Sequence, residues 1–359
     1  MEKMKKVSLV LLGFILIFSV ILSGCSKKVA VVDSKQGEKI AQSSKADAFI
    51  TPKQLKSIKD KGDKELILIG VLDPKKSLIP GNISASPIEG TFTVWRSDYT
   101  GKGSKEAISP EVSGYRKSKE EIENLLSKAG ATEKSKIVIY SADKHHDAAR
   151  LYWQIKTLGH SDVRFLDGGL NAWVGAGYPT GKGRKLADES KKTEYKAPSY
   201  NIDNFDANIN KVTEALNNPN EWVVIDTRSK DEFDGKTTPS SKGAFGTGRI
   251  RGTINIDWSK AVNKEDTTIK SMDELKAIYG DKIKGKKVIA FCQSGVRSAF
   301  TYMILTNVLG AKDVYNYDGS WIEWSYVASE ASKGKVDKNL RDKVINLTEV
   351  WTDNKSEIK

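Results

Sequence analysis

The sequence predicts an α/β fold built from two copies of one unit, each a mostly parallel sheet flanked by helices. Segments of the two halves match at a constant offset of 151 positions, from residues 137–141 and 288–292 through to Trp173 and Trp324. Chance similarity would not keep this register, so the offset indicates a duplicated unit. In each copy, a continuous apolar run typical of a buried parallel strand precedes apolar residues at helical spacing. Alternating strands and helices predict a parallel sheet.

The N-terminal segment, residues 1–24, has the layout of an export signal. A lysine-rich start precedes the apolar stretch 7–22, which is too short to predict a membrane span. Residues 22–25 end in Cys25 and resemble the lipobox of bacterial lipoproteins, whose cysteine receives the lipid. The resemblance implies a lipoprotein signal peptide, lipidation at Cys25 and a protein held at the cell membrane, facing outside the cytoplasm. The alternative is an uncleaved N-terminal anchor helix, which gives the same orientation.

The composition limits the size and the partners of the protein. The chain has 359 residues, 38% of them hydrophobic, which suits about two domains after the signal. The formal net charge of +12 would suit nucleic acid, anionic lipid or small anions. The lysines are scattered and do not form one stripe with aromatic residues. We therefore expect a solvated basic surface beside an anionic membrane, and no nucleic-acid partner.

The first copy is predicted to span residues 46–180, after a polar tether at 25–45. Its strand at 137–141 is followed by a helix whose apolar stripe runs from Ala148 to Ile155. The next segment, 181–198, is polar, charged and punctuated by glycine. This composition predicts a linker between the two domains.

The second copy is predicted to span residues 199–330. Buried strands are expected at 222–226, 288–291 and 314–318, and the helix after the second of these carries an apolar stripe from Phe300 to Val308. The remaining tail, residues 331–359, is charged and only weakly periodic. We expect a short helix or disorder in it.

A single cysteine, Cys292, remains once Cys25 is assigned to the lipid. Outside the cytoplasm cysteines usually pair, so an unpaired one needs another explanation. A cysteine is nucleophilic only as a thiolate. The loop that it opens offers inward-facing backbone N–H groups, the positive end of the next helix and the charge of Arg297, while Gly295 lets the backbone curl. The alternative, a buried structural cysteine, leaves the glycine and the arginine unexplained.

The cysteine loop and three other segments give the chain a family resemblance. It resembles the rhodanese sulfurtransferases in their tandem-domain form, from about residue 51 to residue 327. The segments that carry the resemblance are, in chain order, 226–228, 248–255, 292–297 and 317–324. The resemblance implies two tandem rhodanese-like domains, of which the second is catalytic.

The resemblance also implies a chemistry and a set of site residues. Cys292 would take a sulfane sulfur from thiosulfate or 3-mercaptopyruvate and pass it from a persulfide to a thiol or cyanide, without a cofactor or a metal. Arg251 would help to bind the substrate, whereas Asp226 and Arg228 would support the loops. The other substrate-binding residues would be Gln293, Ser294, Gly295, Val296 and Arg297.

The length of the loop separates this prediction from a chemical rival with the same fold. Related phosphatases and arsenate reductases place five residues between the cysteine and the arginine, which makes room for a tetrahedral oxyanion. Here four residues separate Cys292 from Arg297. The smaller ring fits one sulfur atom better than a phosphate.

Departures from the family leave the sulfur donor open. Gln293 and Ser294 stand where thiosulfate-using relatives often carry basic residues, and Glu232 stands where vertebrate relatives tend to have arginine. We expect Arg249 and Arg251 to restore positive charge from the neighbouring loop. The insertion 235–247 is hypothesised to act as a flap.

The first copy has lost the residues of the loop. At the offset of 151, Cys292 corresponds to Ser141, and Arg297 corresponds to His146. Ser141 with His145 and His146 suggests a serine hydrolase or a metal site, but adjacent histidines project in different directions and no further ligand lies nearby in the sequence. We therefore expect a non-catalytic domain that packs against its partner and shapes the cleft.

Two other functions remain open beside catalysis. The protein could be a non-enzymatic persulfide carrier or sulfur sensor, or a lipoprotein that binds anions through a decayed scaffold. The physiological acceptor and the oligomeric state do not follow from the sequence.

Overall fold

The structure is a computed structural model that describes residues 46–79, 81–102, 108–237 and 243–353. The predicted signal peptide, Cys25 and the whole of the predicted tether lie outside the described residues, as do 238–242 within the insertion. Among the described helices, none combines the length and the apolar character needed to cross a membrane.

The first domain contains a six-stranded parallel sheet in the order β1-β7-β6-β2-β3-β8, with a separate antiparallel pair, β4-β5. Its strands are β1 Phe49–Ile50, β2 Leu66–Val71, β3 Phe92–Val94, β4 Thr100–Lys102, β5 Ser113–Arg116, β6 Lys136–Ser141, β7 Val163–Leu166 and β8 Arg184–Lys185. Its helices are α1 Pro52–Asp60, α2 Pro74–Ser77, α3 Arg96–Tyr99, α4 Lys119–Ala129, α5 His145–Thr157 and α6 Gly169–Gly175. Capping boxes at Thr51 and Ser118 start α1 and α4 by satisfying first-turn N–H groups.

The second domain contains a four-stranded parallel sheet in the order β11-β9-β12-β13 and an antiparallel pair, β10-β14. Its strands are β9 Trp222–Asp226, β10 Gly246–Ile250, β11 Ile254–Asn255, β12 Lys287–Phe291, β13 Val314–Asn316 and β14 Thr348–Asp353. Its helices are α7 Ile209–Asn217, α8 Lys230–Phe233, α9 Met272–Leu275, α10 Asp281–Ile283, α11 Val296–Met303, α12 Ser320–Ala328 and α13 Lys338–Asn346. A π-helical segment, Ile304–Val308, continues α11.

The duplication predicted from the constant offset is confirmed. Helices α5 and α11 begin at His145 and Val296, and strands β7 and β13 begin at Val163 and Val314, so both pairs are 151 positions apart. The apolar runs of β6 and β12 are central strands buried on both faces, as their composition indicates. The predicted α/β class with parallel sheets is therefore correct.

The two domains share one hydrophobic core. Helix α5 packs against α11, and one buried cluster includes Ile139 of the first domain and Phe300 of the second. Two aspartates at equivalent positions also bridge the domains: Asp167 accepts a hydrogen bond from the backbone N–H of Ile269 (2.8 Å), and Asp318 accepts one from that of Arg116 (3.0 Å). The first domain thus packs against the second, as expected.

The segment predicted as a linker is part of the first domain's structure. Strand β8 joins the edge of the first sheet beside β3, and Tyr195 is buried with its hydroxyl 3.0 Å from Nδ1 of His160. The polar composition of 181–198 suggested a spacer. Composition does not show that the edge of the sheet, beside β3, has free backbone hydrogen-bonding groups. Two residues of β8 pair with these groups.

The C-terminal tail forms the expected short helix, α13, and then a strand that was not predicted. Strand β14 pairs antiparallel with β10, and Nε1 of Trp324 donates to Oγ1 of Thr348 (3.0 Å). The strand is mostly half-buried and carries charged residues, so its periodicity is weak. Its partner lies about a hundred residues away, which leaves no local signal.

Candidate active site

The cysteine loop joins the end of β12 to the start of α11, where Gly295 has a left-handed φ of 71°. A side chain at this position would also meet its surroundings, because a Cβ would lie 2.6 Å from Nη1 of Arg150 and 2.9 Å from the carbonyl oxygen of Asp318. The sequence predicted a glycine that lets the loop curl. The structure adds that the glycine makes room for an arginine of the other domain.

The Cys292 side chain is a free thiol that is almost fully buried, with 1% of its surface exposed. Burial alone raises the pKa of a thiol, but here the charge of Arg297 and hydrogen bonds from Ser298 and the Ser294 backbone outweigh it. The pKa of Cys292 consequently lies below its ordinary value. The Ser298 hydroxyl donates to the sulfur at 3.6 Å. These surroundings favour a thiolate.

Ser320 at the start of α12 fixes the cysteine loop through hydrogen bonds to its backbone. Its hydroxyl oxygen accepts hydrogen bonds from the backbone N–H groups of Cys292 (3.2 Å) and Gly295 (2.9 Å), and donates to the carbonyl of Tyr317 (2.6 Å). The N–H of Gly295 is therefore directed to Ser320, which corrects the prediction that it faces the substrate. Sequence reasoning missed Ser320, although it lies within the family motif 317–324.

Arg297 and Glu232 form a two-pronged ion pair. The guanidinium donates to both carboxylate oxygens, at 2.6 and 2.8 Å. Burial opposes ionisation of this carboxyl, but the arginine outweighs it and lowers the pKa of Glu232 to about 2. The pair fixes the orientation of Arg297 beside the thiol, and it partly offsets the positive charge that Cys292 experiences.

Asp226 and Arg228 form a fully buried ion pair of 2.6 Å at the end of β9. Arg228 also donates to the carbonyl oxygen of Gly248 (2.9 Å) and lies over the ring of Trp321, 4.4 Å from its centroid. Through Arg228, the pair thus connects β9, β10 and α12. These contacts are the kind that the predicted supporting role requires.

Arg249 and Arg251 both pair with a carboxylate of the C-terminal strand. Both donate to Glu349 of β14, each at 3.0 Å, and the Arg251 side chain is 59% exposed. We expected both arginines to bring positive charge to the cysteine loop, without taking Glu349 into account. Strand β14 places Glu349 beside them, and its carboxylate offsets their charge.

The first domain contributes Arg150 of α5, which sequence reasoning missed. This fully buried arginine donates to the carbonyl oxygens of Gly295 (3.3 Å) and Gly114 (3.2 Å) and forms an ion pair with Asp318. It therefore braces the cysteine loop across the domain interface. No sequence signal indicated it, because Arg150 does not share the helical face of Ala148, Leu151 and Ile155.

A cavity of about 400 Å³ lies over the loop, between the domains. Ser294, Val296 and Ile322 line it from the second domain, and its lining residues from the first are Arg96, Ser97, Thr100, Gly101, Ser113 and Gly114. The first domain thus shapes a cleft at the cysteine loop. Gln293 is buried, and its carbonyl oxygen accepts a hydrogen bond from the N–H of Ile322 (3.0 Å), which ties the loop to α12.

The histidines of the first domain do not converge on Ser141. His145 contacts the carbonyl oxygen of Thr267, and the ring nitrogens of His160 contact Tyr195 and Ser135. His146 lies edge-on to a tryptophan ring and beside Arg96. Within the described ranges, no three His, Cys, Asp or Glu residues are grouped to hold a metal ion.

Two tandem parallel α/β domains, with a cysteine of lowered pKa in a short loop at the strand-to-helix turn of the second, are the arrangement of cysteine-dependent sulfurtransferases. Comparison with protein families agrees, because the rhodanese-like domain matches residues 51–176 and 209–326. The chain belongs to the rhodanese family.

Curated relatives and solved structures extend this result. A protein of Saccharopolyspora erythraea named "Putative thiosulfate sulfurtransferase" is 38% identical over 57% of this chain and 73% of its own length. The "Sulfur carrier protein TtuD" of Thermus thermophilus is 34% identical over 61% of this chain and 78% of its own. The fold is also similar to that of the Tum1 protein from Saccharomyces cerevisiae, with a TM-score of 0.64, 19% identity and coverage of 79% and 96% of the two chains.

Proposed function

We propose that this rhodanese sulfurtransferase takes a sulfane sulfur from thiosulfate or 3-mercaptopyruvate and passes it to a thiol or cyanide through a persulfide on Cys292. The observation that carries the proposal is the environment of the sulfur. A buried thiol whose pKa is nevertheless lowered, in a loop that opens into a cleft, is suited to a nucleophile rather than to core packing.

The proposed reaction has two displacements. The Cys292 thiolate attacks the outer sulfur of thiosulfate, the S–S bond of the donor breaks, and its electron pair leaves with sulfite. An acceptor thiolate then attacks the terminal sulfur of the persulfide and leaves as a persulfide itself, which regenerates the Cys292 thiolate. Both displacements begin and end with an anionic sulfur in the loop, so groups that stabilise the thiolate also stabilise the persulfide.

Three residues at the cysteine loop contribute to this mechanism. The hydroxyl of Ser298 and the charge of Arg297 stabilise the sulfur anion. Ser320 holds two backbone N–H groups away from the sulfur, which limits the donors to the rest of the loop and the first turn of α11.

A loading experiment tests the proposal. After treatment with thiosulfate or 3-mercaptopyruvate, we expect the parent protein to gain the mass of one sulfur atom at Cys292, and the Cys292→Ser variant to gain none. Steady-state rates with the two donors then decide which donor it prefers. Equal turnover by the serine variant and the parent would disprove the mechanism.

A carrier function is the second candidate, and the relative named as a sulfur carrier protein favours it. A carrier would load one sulfur atom on Cys292 but would not turn over with small thiols or cyanide. Rapid turnover with a small acceptor excludes this alternative.

We also propose that the protein is exported and held at the outer face of the cell membrane by a lipid on Cys25. The basic start, the apolar stretch and the residues 22–25 support this localisation. Incorporation of a labelled fatty acid into the parent protein, and its loss in Cys25→Ala, is the expected result. Equal labelling of both would contradict it.

A further inference from the structure

The first domain has a cavity of its own, of about 220 Å³, at the place that corresponds to the cysteine loop. It lies where β6 meets the start of α5. We propose that this cavity binds a small inorganic oxyanion of the sulfate type, without chemistry and independently of Cys292. The residues that line it include Ser84, Ser141, Lys144, Arg96 and Lys76.

Two buried hydroxyl groups in the cavity lack a partner. Ser141 is 2% exposed and Ser84 is 3% exposed, and within the described part of the chain neither hydroxyl oxygen has a hydrogen-bond partner. Buried polar groups in native proteins are nearly always satisfied by protein, water or a ligand. Both hydroxyls can donate to an anion's oxygen atoms. Ser141 also occupies the position of Cys292 in the repeat.

The N-terminal, positive end of α5 also favours an anion in this cavity. The helix has thirteen residues, and its N-cap residue, Lys144, makes no side-chain capping hydrogen bond. First-turn N–H groups have no acceptor within a helix, and together with the helix dipole they favour an anion. The equivalent end of α11 adjoins the Cys292 sulfur.

The carboxylates around the cavity already have partners. Asp73 accepts a hydrogen bond from the N–H of Lys75 (2.9 Å), Asp143 pairs with Lys76 (3.6 Å), and Asp147 pairs with Arg96 (2.5 Å). The three carboxylates balance the charges of Lys76, Lys144 and Arg96, so the cavity lining carries no net formal charge. The donors that remain for a negative ligand are the two hydroxyl groups and the helix end.

The neighbouring histidine adds no charge to the cavity. His146 is buried, and burial together with the charges of Arg96, Arg297 and Lys144 holds its pKa well below the ordinary value. A neutral imidazole adds no positive charge of its own, so the recognition of an anion rests on the hydroxyls, the helix end and Lys144.

The chemistry of the donors selects the ligand class. Hydroxyl and backbone N–H donors beside the Lys144 ammonium group match the oxygen atoms of a tetrahedral oxyanion. Ser141 does not ionise near neutral pH as a cysteine does, so it offers no thiolate to accept sulfur. The cavity is therefore a binding site and not a second catalytic centre.

Calorimetric titration with sulfate tests the inference. The titration uses the Cys292→Ser protein, which removes sulfur chemistry, with sodium chloride keeping the ionic strength constant. We expect saturable binding that weakens at least tenfold when Ser141→Ala or Lys144→Ala is added. The matched control is Lys75→Ala, which neighbours Lys76 but does not line the cavity, and which should bind sulfate like its background.

The outcomes are distinct. Sulfate binding that is unchanged in both cavity variants would assign the ligand to the cysteine loop and overturn the inference, as would a sulfate effect no larger than that of chloride. Ser141→Ala removes only a hydroxyl without a protein partner, so the fold should persist. An unchanged melting temperature without sulfate and unchanged sulfur loading on the Cys292 background verify this. The binding test uses a protein without Cys292. Its result therefore does not depend on whether the sulfur-transfer proposal holds.

Discussion

Replacing Ser320 by alanine should both destabilise the protein and impair the cysteine loop. The Ser320 hydroxyl accepts hydrogen bonds from the buried N–H groups of Cys292 and Gly295 and donates to the carbonyl of Tyr317. Alanine leaves both N–H groups in place but removes their acceptor. The loop then loses the contact that determines where two of its N–H groups point.

The expected loss of stability follows from the number of unsatisfied groups. A buried donor without a partner costs about 1–3 kcal/mol, so two of them predict a loss of about 2–4 kcal/mol, after allowing for local relaxation. Ser325 on the same helix is a matched control. Its hydroxyl accepts from one half-buried N–H, that of Phe245 (3.1 Å), and donates to the carbonyl oxygen of Ile322. For Ser325→Ala we expect about 1–2 kcal/mol.

Two measurements separate the loop from the helix. Urea unfolding gives the change in the free energy of unfolding for each variant, and mass spectrometry gives the rate of sulfur loading on Cys292. We expect Ser320→Ala to load sulfur at least tenfold more slowly than the parent, because its loop N–H groups are no longer held. Ser325→Ala should load sulfur at the parent rate.

The reasoning is refuted by either of two results. A change in unfolding free energy below about 0.5 kcal/mol for Ser320→Ala would mean that the N–H groups of Cys292 and Gly295 find another hydrogen-bond acceptor when the Ser320 hydroxyl is removed. Normal sulfur loading by a destabilised Ser320→Ala variant would mean that the loop geometry does not depend on this hydroxyl.

Three further predictions follow from the charges around the site. Glu232→Gln removes the carboxylate that offsets Arg297, so the Cys292 thiolate should form at lower pH, as measured by the pH dependence of alkylation. Arg150→Met removes a buried guanidinium from its carboxylate partner, which should cost about 3–5 kcal/mol in urea unfolding and slow sulfur loading. Burial raises the pKa of Asp167 to about 7, so its folded state holds a proton more tightly than the unfolded chain. Stability should therefore fall as the pH rises from about 4 to about 7, and Asp167→Asn should reduce the fall in melting temperature across that range.

Each of these predictions has a surface control and a contradicting result. The exposed Asp231, paired with Lys236, is the control for Glu232, and an identical alkylation profile for Glu232→Gln would count against the electrostatic argument. Arg164→Met removes a partly exposed arginine and should leave loading unchanged. The exposed Asp273→Asn should not alter the pH dependence of the melting temperature. A parallel decline for Asp167→Asn and the parent would assign the decline to other groups.

The elements that position the nucleophile could be predicted because their signals are local. The apolar run that becomes β12, the glycine at 295 and the helical stripe of α11 lie within about twenty residues of one another. Strand and helix periods are properties of such short windows. The repeat strengthened each prediction, since the same pattern recurs 151 positions earlier.

The residues that hold the loop could not be assigned in the same way. Arg150 reaches Gly295 from the other domain, and Ser320 reaches Cys292 from the start of a later helix. The pairing of Arg251 with Glu349 could not be predicted for the same reason, because strand β14 brings the two residues together. Contacts between residues far apart in the chain leave no periodic trace in either segment.

The sequence by itself determined the duplicated α/β architecture, the family and the position of the cysteine loop, because these depend on short-range patterns and on one residue type in one loop. Only the tertiary structure decided which charges the Cys292 sulfur experiences, which N–H groups face it and which arginines are already paired. Electrostatic interactions and hydrogen bonds depend on distances of a few ångströms between side chains. Packing of the two domains and the C-terminal strand sets those distances.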